Sequence, residues 1–394
     1  MVGCFSAAMA EEKQEKWVLQ LCHGYDMPFS DVARQYAALF SGTGYKVATV
    51  FLTGNKNEQI AQSVSSDDVI FLENTSRDIR GLKLKQIRQV RQLCAARNYQ
   101  FCIAHRFKAV YIASHVSRLF VIGVQHAFGG YERWTRRFYI QRKQKNLALI
   151  GVSDAIRNDI RSSLPEFTSQ KIVTLYNRID INKHKSQLID REQARNRLKL
   201  PKDAFVFANV GRLHPDKDQS TLLKAFSRIS SDYPKAFLVI MGKGRLEASL
   251  KQEAESLGIK YRTLFTGAIL EASRYFRAFD SFILPSNHEP FGMVLLEAMV
   301  AGLPIAACNT GAVPEVIGNT GMKFHLGDVS ELSELMRNIL GLSNKQKAEI
   351  SQRMEDRLFN YFSDDAVKGV FWNLPFIQPF VDENNTVHEQ EMVH

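Results

Sequence analysis

The chain has 394 residues, 45% of them hydrophobic, enough for two sizeable cores and a prior of two domains or one large one. No run of about 18 apolar residues occurs, which excludes a membrane-spanning helix. The formal charge of +10 is unevenly placed: residues 1–190 hold 27 Lys and Arg against 16 Asp and Glu, whereas residues 191–394 hold 24 against 25.

Met1 to Ala10 are partly apolar but lack a basic leader, so no signal peptide is expected. Five cysteines, Cys4, Cys22, Cys94, Cys102 and Cys308, form an odd set without metal-ligand spacing and read as reduced thiols of a cytosolic protein. Continuous apolar runs at 17–22, 46–52, 68–72, 99–104, 119–124, 147–152 and 172–175 read as buried parallel strands separated by helices. The loop after the first, His23 to Ser30, holds a single glycine, Gly24, together with Tyr25 and Phe29. Between residues 79 and 145 there are 15 Lys and Arg and one acid, Glu132. Arg80, Lys83, Lys85, Arg88, Arg91 and Arg97 are expected on one helix, and Arg133, Arg136, Arg137, Arg142, Lys143 and Lys145 on another, where Trp134, Phe138 and Tyr139 are interleaved. So many like charges repel one another without an anionic partner, so an acidic surface or acceptor is expected there. Nothing in the window resembles a nucleic-acid recognition motif or a stacking platform. His126 closes the run at 121–125, and Gly129 and Gly130 follow it in a tight or mobile loop.

After a polar connection at 182–196, strands are expected at 205–210, 236–241, 261–265, 281–284 and 304–307. The expected division is an N-terminal domain over 1–180, a C-terminal domain over 181–360 and a segment over 361–394, aromatic to 380 and frayed from about 382. The richest stretch runs from Ser286 to Gly302. Glu289 lies in a turn after an apolar strand, and Glu297 lies about one and a half turns into a helix opening near Gly292. Free N–H groups and the positive dipole end at such a helix start dock phosphate, and Gly292 admits close approach. Carboxylates beside a phosphate need a partner rich in hydroxyls, and a sugar phosphate of a nucleotide fits.

The motifs continue in order: Gly211-Arg212 with Lys217 after one strand, Gly242 and Gly244 after the next, then Gly267, the two glutamates, Gly302-Leu303-Pro304 and the run Asn309 to Ile317. Over roughly 205 to 325 this order and spacing resemble the retaining glycosyltransferases of family 4, which have the GT-B fold. The resemblance implies an α/β protein with two Rossmann-like, doubly wound parallel-sheet domains facing a central cleft, the last segment crossing back to the N-terminal domain. It implies a nucleotide-diphosphate sugar as donor, with Glu289 on the sugar hydroxyls, Glu297 on the ribose hydroxyls, and Arg212 and Lys217 on the diphosphate. His126 would be an orienting group near the donor sugar. Gly211, Phe291, Gly292 and Met293 would approach the nucleotide, Gly267 and Ile269 would contact the base through backbone, and Gly24 would be a donor contact, with Tyr25 and Phe29 shaping the acceptor pocket. Arg178 stands where the family often has glycine.

Asp216 and Asp218 form an Asp-x-Asp pattern, but Lys217 already supplies cationic charge and Asp218 is placed to cap the helix beginning at Gln219, so neither a metal nor another cofactor is expected. The expected reaction transfers a sugar with retention to a hydroxyl of an anionic or membrane-associated glycan, in cell-surface polysaccharide or lipopolysaccharide biosynthesis. The expected place is the cytoplasm or the cytoplasmic face of the inner membrane, with the basic helices on the lipid surface. The alternatives are a nucleotide-sugar epimerase of the same fold and a non-catalytic nucleotide- or membrane-binding scaffold.

Overall fold

The computed structural model describes residues 15–26, 29–116 and 118–381; Cys4, the apolar start and the tail from Asp382 lie outside them. The chain divides into two compact units, one gathering Met1–Val124, Arg133–Leu149 and Pro375–His394, the other Gln125–Glu132 and Ile150–Leu374.

Apolar, β-branched and aromatic runs form the strands, because they pack on both faces of a covered sheet. The first seven are β1 (Lys16–Cys22), β2 (Tyr45–Thr53), β3 (Asp68–Asn74), β4 (Tyr99–His105), β5 (Phe120–Gln125), β6 (Leu147–Gly151) and β7 (Ile172–Thr174), in sheet order β3-β2-β1-β4-β5-β6-β7. The pairings that join β3, β2, β1, β4 and β5 are all parallel. The next six are β8 (Phe205–Val210), β9 (Ala236–Met241), β10 (Thr263–Gly267), β11 (Ser281–Leu284), β12 (Ile305–Cys308) and β13 (Met322–Phe324). They lie in order β10-β9-β8-β11-β12-β13, every pair parallel. Strand order therefore reverses between β1 and β4 in one sheet and between β8 and β11 in the other. In open sheets of this kind, ligands bind beyond the carboxyl ends of the strands at such a reversal.

Each expected strand is found within about two residues of its expected bounds, and β13 is an addition. It has three residues with exposed Lys323 in the middle, too short and too polar to stand out as an apolar run. The segment at the end of the first unit is held by aromatic packing: the Phe380 ring lies 4.9 Å from Phe101, and the Tyr45 hydroxyl donates to Phe380 O at 2.6 Å. The second unit's core is built around Phe207, Phe226 and Leu238 from strand and helix faces buried against each other.

Three local expectations need correction. The first basic helix spans only Leu84–Ala96: Gly81 and Lys83 take positive φ and Arg97 is extended, so Arg80, Lys83 and Arg97 lie outside it. Likewise the second spans Trp134–Lys143, with Arg133 and Lys145 beyond its ends. Asp218 occupies the cap position of the Gln219–Ser230 helix but makes no side-chain bond to its backbone. Its φ of +45° turns the carboxylate aside, where it accepts from the Thr221 hydroxyl at 2.7 Å.

No helix among the described residues is long and apolar enough to cross a membrane.

Candidate active site

The loops after β8 and β11 meet at the reversal of the second sheet. The Asn287 N–H donates to Asp216 O at 2.9 Å, which fixes the two loops in register. On this frame Lys217 Nζ lies 2.6 Å from Glu289 Oε2, with both side chains largely buried at 16% and 9% exposure. Burial weakens the competition of water for both charges, so the pair holds each partner in one place. Arg212 is open at 72% side-chain exposure, with its guanidinium 3.3 Å from Asp216. The opposite side of Asp216 is taken by His214 Nδ1 at 2.5 Å. Gln219 Nε2 holds the Arg212 carbonyl at 3.0 Å.

Glycines make this geometry accessible. A side chain on Gly242 would place Cβ 1.8 Å from Gly211 O, and one on Gly311 would place it 2.4 Å from Glu289 O. The strand ends are tied by Gly211 N–H to Met241 O and Gly242 N–H to Gly267 O, both 2.9 Å. Gly211 itself has nothing near its missing side chain, which leaves open backbone where a phosphate can approach. Gly292 takes φ +90° as the residue preceding the Met293–Val300 helix, so the first-turn N–H groups of that helix open beside Glu289. Glu297 is the fifth residue of this helix and is partly exposed. Met293 and Ile269 are likewise half-buried.

Phe291 is 3% exposed and packs against the rings of Tyr176 and Phe362 at 6.0 and 5.9 Å. His126 follows β5 directly in the second unit, in a loop where the Phe128 ring meets the His288 ring edge to face at 5.9 Å. Asp159 fastens that loop by accepting from Gly129 N–H at 3.1 Å, and burial raises its pKa. Gly24 belongs to the first unit, as do Tyr25 and Phe29. Tyr25 is packed edge-on against Phe51 and Phe71, and Phe29 carries the Arg106 guanidinium 4.2 Å over its ring.

Sequence reasoning passed over two supports. Glu315 accepts from Asp154 N–H at 2.6 Å and Ala155 N–H at 2.9 Å, closing the start of the Asp154–Ser163 helix, and burial raises its pKa against the effect of those bonds. Ser153 caps the same helix and donates to Pro290 O at 2.7 Å, bracing the residue after Glu289. The Ser-Asp pair ahead of an apolar-periodic stretch was the available signal for the cap; nothing local signalled the clasp by Glu315.

Residues 190–356 match the family described as glycosyl transferases group 1. That match takes in less than half of the chain. The lipopolysaccharide core biosynthesis glycosyltransferase LpsE of Rhizobium meliloti is 27% identical to it over 187 residues, 47% of this chain and 54% of the relative. Among the first curated relatives the chain thus spans about half of one and about a quarter to a third of the next two, at 26% and 33%. A glycosyltransferase from Rickettsia africae ESF-5 superposes with TM-score 0.80 over 94% of this chain and 100% of that chain, at 14% identity. Anabaena Alr3699/HepE in complex with UDP and glucose superposes with TM-score 0.73 over 90% of this chain and 98% of that chain, at 18% identity. These likenesses show the GT-B fold, with its two parallel-sheet α/β domains.

Proposed function

We propose that the protein is a retaining, metal-independent glycosyltransferase of family 4. It moves a sugar from a nucleotide-diphosphate sugar to a hydroxyl of an anionic or membrane-associated glycan, in cell-surface polysaccharide or lipopolysaccharide biosynthesis. The observation that carries this reading is the buried Lys217–Glu289 pair at the sheet reversal, beside the helix start at Gly292. A carboxylate already held by an ammonium is oriented to accept hydrogen bonds from sugar hydroxyls, and the remaining cationic field suits a diphosphate. The lipopolysaccharide core biosynthesis assigned to LpsE and the UDP and glucose bound by HepE are consistent with it.

In this reading Glu289 accepts from the donor sugar and Glu297 from the ribose. Gly211, Gly267, Ile269, Phe291 and Met293 offer backbone to the nucleotide, and His126 orients the sugar. Arg212, Lys217 and the helix N–H groups stabilise charge on the diphosphate as its bond to the anomeric carbon breaks. The departing phosphate oxygen takes the acceptor hydroxyl's proton on the same face, and the acceptor oxygen bonds that carbon with retention. Lys217 does the work a divalent cation does elsewhere, and Gly24 is a minor donor contact.

The first unit takes the acceptor. Trp134 is 70% exposed and Phe138 50%, with the Arg142 guanidinium 4.1 Å over the Phe138 ring. Aromatic and cationic groups on one helix suit the anionic headgroups of the inner membrane's cytoplasmic face. The test is transfer from UDP-, GDP- and ADP-sugars in chelator, with the product's anomeric configuration read by NMR. A retained α-anomer whose formation is lost in Glu289→Ala supports the reading; near-normal transfer by that variant, or an inverted product, overturns it.

A further inference from the structure

A cavity of about 550 Å³ lies at one edge of the sheet that carries the paired charges, wholly within the second unit. β10 is the outermost strand there, so its free edge meets no further strand among the described residues. Thr263 and Phe265 are two apart on β10, share one face of it and line the cavity. The Glu247–Ser256 helix supplies the other wall: Ala248, Lys251, Gln252 and Glu255 recur at helical spacing, so one side of that helix lines the space. Thr263 opens β10 and Lys260 precedes it, so the cavity extends toward the amino ends of the strands. The loops carrying Lys217 and Glu289 follow carboxyl ends.

The floor of the cavity is aromatic and its rim is polar. Phe265 is half-buried, packed on one side against the core that holds Phe226 and Leu238. Lys251 Nζ lies 5.9 Å over its ring, at the far limit of a cation–π contact. On the rim each ammonium has its carboxylate, Lys251 with Glu247 at 2.7 Å and Lys260 with Glu255 at 2.6 Å. Thr263 is 9% exposed, and its hydroxyl is buried without a hydrogen-bond partner among the described residues. A hydroxyl left in that state costs free energy that a ligand's polar group would return.

These features select the chemistry of the occupant. Two lysines matched by two glutamates leave no surplus charge for a phosphate or a carboxylate, and Glu255 opposes either. A wholly apolar molecule would leave the Thr263 hydroxyl unmet. A pyranose ring meets both demands, with C–H groups on one face for Phe265 and hydroxyls around its edge for Thr263, Gln252 and the charged pairs. The volume falls within the range of small-molecule sites, about 300–1,000 Å³. We infer that this cavity binds a neutral saccharide at a site separate from that of the donor. Its role, holding a neutral stretch of the glycan on which the enzyme works, rests on the transferase reading; the binding itself does not.

The test is saturation-transfer difference NMR on the full chain, with the methyl α-glycosides of glucose, galactose and mannose and with maltotriose as probes. Wild type is compared with Ala248→Trp, which fills the cavity from an exposed helix position, with Thr263→Val and Thr263→Ser, and with Glu289→Ala, which alters the donor site. At least one probe is expected to bind wild type and Glu289→Ala alike and to lose its signal in Ala248→Trp. The same probe should bind Thr263→Val about three- to tenfold more weakly, with Thr263→Ser restoring binding. Thr263→Val removes an unpartnered hydroxyl, so it should melt no lower than wild type, which separates lost binding from lost folding. No signal from any probe in wild type, a signal undiminished in Ala248→Trp or in Thr263→Val, or one lost only in Glu289→Ala overturns the inference. Binding of UDP, GDP and ADP is read in parallel and is expected to be unchanged in Ala248→Trp. Its absence from wild type would strike the transferase reading and leave the saccharide result standing.

Discussion

The two sheets reverse strand order at equivalent places, yet they arm those places differently. Beyond β8 and β11 the charges are paired, Lys217 with Glu289 and Arg212 with Asp216, and the backbone around them admits only glycine at residues 242 and 311. Beyond β1 and β4, Lys83 and Arg136 stand on the faces of Tyr111 and Phe107. A paired site contributes to folding and is ready before its ligand arrives.

Breaking the paired site should have the largest effect. Lys217→Ala leaves the Glu289 side chain, 9% exposed, without its ammonium, so a stability loss of about 2–4 kcal/mol is expected in denaturant unfolding, with transfer reduced by about 10²–10³. Gly242→Ala drives a methyl group into Gly211 O and should cost about 3 kcal/mol in the same measurement. Gly211→Ala meets no neighbour, so it should leave the melting temperature nearly unchanged while weakening nucleotide binding, as calorimetry would read.

A smaller effect sharpens the comparison through pH. The folded pKa of Glu315 is raised, so the folded state holds its proton more tightly than the unfolded state does. Stability should therefore fall as pH rises from the ordinary carboxylate pKa through the raised one. Glu315→Gln should flatten that part of the profile in melting curves taken at successive pH values. The smallest effect has the opposite sign to Lys217→Ala. Lys108→Gln relieves repulsion, and after allowance for solvent screening it should raise stability by about 0.5 kcal/mol or less.

Most of the fold was legible because buried parallel strands are unbroken apolar runs, and these stand out without any knowledge of their neighbours. β13 escaped because Lys323 interrupts a three-residue strand. At the site, Glu289, Lys217, Arg212 and Gly292 were legible from local order, since strand end, turn and helix start are adjacent in sequence. The ring of Phe291 turns into the core beside Tyr176 and Phe362, residues far away in the chain, so its packing has no local sequence signal. Residue type and position fit Asp218 to a cap, but the left-handed backbone that redirects it is not visible in residue identity. The clasp of Glu315 on Asp154 and Ala155 spans about 160 positions and is a product of packing alone. The basic window was visible as composition, whereas the seating of Lys83 on Tyr111 and of Arg136 on Phe107 depends on packing between segments far apart in the chain.

Calorimetric titration of UDP, GDP and ADP into the full chain in chelator, repeated with Glu297→Ala, tests most directly whether the second unit's sheet reversal holds a donor nucleotide. Binding of one base in preference to the others, lost in Glu297→Ala while the variant still melts cooperatively, is the predicted result. No binding by any of the three, or binding undiminished in Glu297→Ala, would contradict it.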